Sequence, residues 1–252
     1  MIIAKPYKLA KIEYVKGNYD KAIYFYDIAI KNANEKKDIR KVVELNRGLG
    51  LAYVKKGDIK KAKEYVNKAL KIDLKLYGEN NLNTVWDYFN LASFDYTKNK
   101  DNPDKVISDV MQILEKAYKI KTKNEEYYYF IANCYSNISV VYGDKKEYGK
   151  AIEYAQKASE INIKKFKGQD INIYNNLASL YATTNNYEKA LYYYSEALSV
   201  AKKYNMTNYQ MLRDIEMNME ATNEKLTYRN QMLIDIKKNL TKTVKLTKNN
   251  EK

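Results

Sequence analysis

The sequence predicts an all-α protein: an α-solenoid (right-handed superhelix) of about five helix-turn-helix repeats, followed by a C-terminal helix that caps or projects. Three observations predict it. A phrase of small residue, aromatic and small residue returns five times at helical spacing, the mark of a stacked repeat array. Only 8 Gly and 2 Pro occur in 252 residues, too few turn formers for a β-sandwich or barrel, while Lys, Glu, Ala, Leu and Ile favour helices. Apolar residues also fall at i, i+3, i+4 and i+7, one stripe of a helix, as in Tyr174, Leu177, Ala178 and Tyr181.

The first repeat, 5–36, places Leu9-Ala10 on its first helix. Its turn and second helix read Gly17-Asn18-Tyr19-Asp20-Lys21-Ala22, running through Tyr26 to Ala29. The second, 37–78, has Leu49-Gly50 and Tyr53, then Gly57-Asp58 leading to Ala62 and Ala69. Gly48-Leu49-Gly50 falls within a helix, where it reads as packing glycine and not as a phosphate loop. The third, 82–121, has Leu91-Ala92, then Val110, Leu114 and Ala117. An insertion at Asn99-Lys100-Asp101-Asn102-Pro103 separates its helices, with Asn102 as N-cap and Pro103 as the first helical residue. The fourth, 124–167, carries Ile138-Ser139 and Tyr142, then Tyr148, Ala151 and Ala158. The fifth, 170–204, adds a second stripe of Tyr187, Ala190, Tyr194 and Ala197. Ala22, Ala62, Val110, Ala151 and Ala190 are equivalent positions, about 40 residues apart except across the insertion.

Beyond Tyr204 the period changes. Leu212, Met219, Leu226, Leu233 and Leu240 recur every seven residues, beside a half-polar seam of Ile215, Thr222, Arg229 and Ile236. The segment 207–240 is therefore expected to cap the last repeat over its first part, to about 221, and then project or pair weakly as a homodimer. Residues 241–252 are expected to form a basic, frayed tail, and the outer face of the first repeat to be open to a partner or a second copy.

The Leu-small pair, the Gly-x-Tyr turn and the Ala-aromatic-Ala second helix resemble the tetratricopeptide repeat over about residues 5–204. The long repeats, the connector Leu76-Tyr77-Gly78-Glu79-Asn80-Asn81-Leu82-Asn83-Thr84 and the opening Tyr174-Asn175-Asn176-Leu177-Ala178 are similar to the kinesin-light-chain type of that repeat. The connector's usual His and Pro are absent here. The resemblance implies a concave groove lined by the first helix of each pair, with Asn90, Asn137 and Asn176 projecting into it just before each Leu-small pair. Each carboxamide offers two donors and an acceptor, so such a ladder can hold the main chain of an extended peptide. The competing explanation is the chain's general richness in Asn. Trp86 is a further candidate groove aromatic. A carboxylate clamp, by the same resemblance, would need Lys and Asn where Tyr7 and Lys11 stand, and Lys and Arg where Trp86 and Asn90 stand; the pattern fails.

The chain carries 45 Lys and Arg against 31 Asp and Glu, a formal charge of +14. Only four of the basic residues are Arg, the side chain that forks onto phosphate and guanine, which argues against nucleic acid while still favouring an acidic protein or peptide partner. With no His and the single Cys134, no Cys–His or Ser–His–Asp nucleophile, disulfide or Cys/His metal site can be assembled. The expectation is a non-enzymatic scaffold without cofactor or metal, cytoplasmic, with no signal peptide and no membrane span.

Overall fold

The computed structural model describes residues 4–100, 102–206 and 209–250. Among them the chain is all-α, with eleven helices and no strand. The first helices pair in order: α1 (Ala4–Val15) with α2 (Tyr19–Glu35), α3 (Ile39–Lys56) with α4 (Ile59–Tyr77), and α5 (Leu82–Asn99) with α6 (Pro103–Tyr118). Then come α7 (Glu125–Asp144), α8 (Tyr148–Phe166), the pair of α9 (Ile171–Thr183) and α10 (Tyr187–Lys203), and the long α11 (Tyr209–Asn250).

Most of the turns share one backbone device. The residue that follows α3, Gly57, adopts φ 87°; its N–H donates to the Val54 carbonyl at 2.9 Å, and the Asp58 N–H donates to the Tyr53 carbonyl at 2.9 Å. This pair of bonds satisfies two carbonyls that the helix end would leave orphaned. It recurs at Gly17-Asn18, Lys37-Asp38, Lys146-Glu147, Asn185-Asn186 and Asn205-Met206. In five of the six the second residue of the pair also precedes a new helix, and three of the five, Asp38, Asp58 and Asn186, accept from the N–H three residues on, at 3.0 to 3.4 Å. The inserted Asn102 caps α6 in the same way, accepting from the Lys105 N–H at 3.1 Å with Pro103 in the first turn.

The chain divides into two compact units, residues 1–141 and 142–252. A core of Ala22, Tyr26, Leu45, Leu49, Ala62 and Val66 lies in the first, and one of Leu177, Ala178, Ala190, Tyr194, Ala197 and Ile215 in the second. The equivalent residues Ala22, Ala62, Val110, Ala151 and Ala190 are all fully buried. The packing glycines are equally tight: a methyl group at Gly50 would lie 2.7 Å from Val66 and 3.1 Å from the Ala62 carbonyl.

In the second unit α11 lies against α10 with its half-polar seam innermost. Ile215 and Thr222 are buried, while Leu212, Met219 and Leu226 flank them at intermediate exposure. Thr222 is accommodated because its hydroxyl donates to the Asn218 carbonyl at 2.7 Å. Arg229 donates to the Asn185 carbonyl at 3.2 Å and pairs with Glu188. Beyond it Met232, Leu233, Ile234 and Ile236 are exposed. Leu240 falls outside the residues whose side chains are described. The helix extends as far as Asn250. The stretch contains neither Gly nor Pro, so no residue in it breaks the backbone pattern.

Candidate functional site

In the first unit α5 and α7 bring two of the three candidate asparagines together. Asn137 Nδ2 donates to Ser93 Oγ at 3.4 Å, and Ser93 is one helical turn beyond Asn90 on α5. The Asn137 Oδ1 is buried and accepts no hydrogen bond. Asn90 is half-buried, with its carboxamide unpaired among the described residues. Trp86 lies one turn earlier, packed edge-on against Phe130 at 4.8 Å and Phe89 at 5.7 Å, with Tyr129 at 6.2 Å. Trp86 keeps intermediate exposure and Tyr129 is exposed, so these two rings form the open rim of an otherwise buried aromatic cluster. Of the four consecutive aromatics at the start of α7, Tyr127 and Phe130 face inward and Tyr129 outward, as helical geometry requires.

Asn176 is on α9 in the second unit, half-buried, beside Asn175, whose Oδ1 is also buried without a partner. Nearby, Ser179 Oγ and Tyr194 Oη are 3.1 Å apart, and Gln156 donates to Tyr181 Oη at 3.0 Å.

The positions that a carboxylate clamp would use are occupied differently. The Tyr7 hydroxyl donates to Glu44, and the ammonium groups of Lys41 and Lys11 lie 3.6 and 4.7 Å from the Tyr7 ring centre. Burial and the Glu44 carboxylate push the Tyr7 hydroxyl well above the ordinary phenol range. Burial alone would raise Glu44, but hydrogen bonds from Lys41 and Tyr7 together hold it below its usual value. Tyr26, pushed up to about 12 by burial and then by Tyr7, fills the space beside Gly48. A methyl group there would lie 2.6 Å from its ring, so the second repeat carries an aromatic face where the third, fourth and fifth carry Asn.

Sequence reasoning missed a buried ion cluster across α3, α4 and α5. Arg47 Nε donates to Asp87 Oδ1 at 2.6 Å and its Nη2 to Asp87 Oδ2 at 3.2 Å. The same Nη2 reaches Asp73 and, at 3.2 Å, the Asn83 carbonyl. The Asp73 and Asp87 side chains are 1% and 0% exposed, so water solvates neither. Burial raises both carboxyls despite the guanidinium, Asp87 to about 7. The available signal was register: Asp73 sits on the buried stripe of Val66, Ala69 and Leu70, where a charge demands a partner.

Cys134 is fully buried, and burial pushes its thiol well above the usual range. Among the described residues no group of three or more His, Cys, Asp or Glu could hold a metal ion, and no helix is long and apolar enough to cross a membrane.

The repeat geometry agrees with the comparisons with known proteins. A profile of the tetratricopeptide repeat matches residues 2–75 and 130–203. The chain belongs to the tetratricopeptide repeat family. No curated protein matches it. Among solved structures it is similar to a Rap protein complexed with competence and sporulation factor, at 20% identity and TM-score 0.70, over 91% of this chain and 65% of that one. A thermophilic tetratricopeptide repeat protein of Thermus thermophilus aligns at 18% identity and TM-score 0.62, over 87% of this chain and 98% of that one. A putative kinesin light chain of Podospora anserina aligns at 13% identity and TM-score 0.54, over 81% and 97%. At these identities the likeness is one of fold. The family's fold is generally one of protein interaction, not of catalysis.

Proposed function

We propose that this tetratricopeptide repeat protein is a non-enzymatic scaffold that holds an extended peptide, neutral or acidic, against the first helices of its repeats. Asn90 and Asn137 serve in the first unit and Asn176 in the second. The observation that carries the reading is the Asn137 carboxamide. Its Oδ1 lacks a donor, at a cost of about 1–3 kcal/mol, and turning the carboxamide to meet a bound peptide N–H would satisfy it. Trp86 and Tyr129 supply an aromatic rim beside it for a guest side chain. The formal charge of +14 favours an acidic guest, and a Rap protein of similar fold is complexed with a factor. Two of the four arginines, Arg47 and Arg229, are tied to carboxylates of this chain, which weighs further against nucleic acid. Screening an acidic peptide library against the full chain and against a variant with Asn90, Asn137 and Asn176 all replaced by Ala tests the reading. Binding should weaken at least tenfold while thermal stability changes little; equal binding by the two would overturn it.

A second reading, dimerisation through α11, is favoured by the exposed Leu233 and Ile236, which continue the seams of Leu226 and of Thr222 beyond Arg229. Truncation at Asn205 would strip Ile215 from the core, so the informative comparison is sedimentation of the full chain against one ending near Asn230. A monomer in both dismisses the dimer.

A further inference from the structure

The Arg47–Asp73–Asp87 cluster has two features that packing alone does not require. The first is its register. Four residues before the Leu-small pair the second, fourth and fifth repeats bury Leu45, Cys134 and Ile173; the third repeat buries Asp87. Eleven residues after the equivalent alanine, Ala33, Asn162 and Ala201 are buried in three repeats, and Asp73 in the second. Asn162 shows what a neutral side chain does there. It donates to the Asp170 carbonyl and accepts from the Asp170 N–H, both at 3.0 Å. The fold is therefore built elsewhere in this chain without a charge at either position.

The second feature is stoichiometry. Two buried carboxylates face one guanidinium, and a fully ionised cluster would carry a net negative charge out of reach of water. Such a charge is costly unless a proton neutralises it. Both carboxyls converge on the same Arg47 Nη2, so they lie side by side, and a proton held by the pair relieves their mutual repulsion.

We propose that Arg47, Asp73 and Asp87 form a proton-held clip, in which one proton shared by the two carboxyls fastens α5 to α3 and α4 and its release to solvent loosens α5. The groups around Asp87 are few. α3 contributes Arg47 and α4 contributes Asp73. On α6, Lys116 pairs with Glu79 and lies 5.8 Å from the Tyr88 ring, and α7 presents aromatic rings to the neighbouring Trp86. No histidine exists in the chain to titrate near neutrality. Among the described residues, Asp27 is the one other carboxyl raised above its usual range; it faces Lys61 and Lys68, apart from the cluster.

The sign follows from the raised carboxyls. A folded-state value above the unfolded one means that the native state binds more protons than the unfolded state between the two values. Stability is then greatest at mildly acid pH, falls as pH rises from about 4 to about 7, and levels off above.

Trp86, the sole tryptophan, is the residue next to Asp87 and reports on α5 directly. In the full chain its emission should shift to the red in one step with a midpoint near pH 7, and the melting temperature should fall by several degrees between pH 5 and 8. Asp87→Asn, which mimics the protonated acid, should remove both changes, whereas Asp27→Asn should keep them. Carbon-13 NMR of the aspartate carboxyls in the wild-type chain, which needs no variant, should show two of them titrating together near neutrality. Flat emission and melting temperature across this range, an unchanged step in Asp87→Asn, or all carboxyls titrating in the ordinary range would overturn the clip.

Discussion

Gly50 packs its Cα where Val66 and the Ala62 carbonyl leave no room for a methyl group. Replacement by Ala gains about 1 kcal/mol of helix propensity. Overpacking against a fully buried valine costs about 1–3 kcal/mol. Gly50→Ala should therefore lose net stability, by about 1 kcal/mol in urea titration, and an increase would refute the close approach. Asn137 behaves in the opposite way. Its Ser93 bond is long and its Oδ1 is unmet, so Asn137→Ala should change stability by less than about 1 kcal/mol, measured in the same titration. Cys134, buried and with its thiol raised, should resist alkylation at pH 8 in the native chain and react only on unfolding.

The turn between paired helices sets a cost that varies along the chain. Gly17 and Gly57 take the left-handed conformation freely, whereas Lys146, at φ 61°, and Asn185, at φ 59°, take it with a Cβ. Lys146→Gly should raise stability by about 1 kcal/mol and the melting temperature by about 2–4 °C, read by circular dichroism. Helix pairing was legible in the sequence because Gly17, Gly57 and Asn185 coincide with the switch between two apolar stripes. The N-cap and proline of α6 were legible for the same local reason. Arg47, Asp73 and Asp87 were not, because a charge within a stripe shows that a partner is needed without showing which of many Lys and Arg provides it. Of the candidate groove, the Asn90–Asn137 neighbourhood on α5 and α7 followed from repeat register. The Tyr26 ring at Gly48 did not, since it comes from a different helix whose side-chain direction the register leaves open.

At the scale of the molecule, each of the two units has a core of its own, and the second ends in a helix that is buried only in part. Ile215→Ala should cost about 2–5 kcal/mol, whereas Leu233→Ala should leave the melting temperature within about 1 °C, because Leu233 is already more than half exposed. Similar losses from both would mean that the outer part of α11 is covered in solution. The Arg229 contacts with Glu188 and the Asn185 carbonyl mark where α11 leaves the repeats. From there to Asn250 the helix rises about 1.5 Å per residue, a boom of roughly 30 Å beyond one arginine. For each degree that it swings about that residue, its far end sweeps about half an ångström, so a rotation too small to disturb Ile215 would still reposition whatever the boom carries.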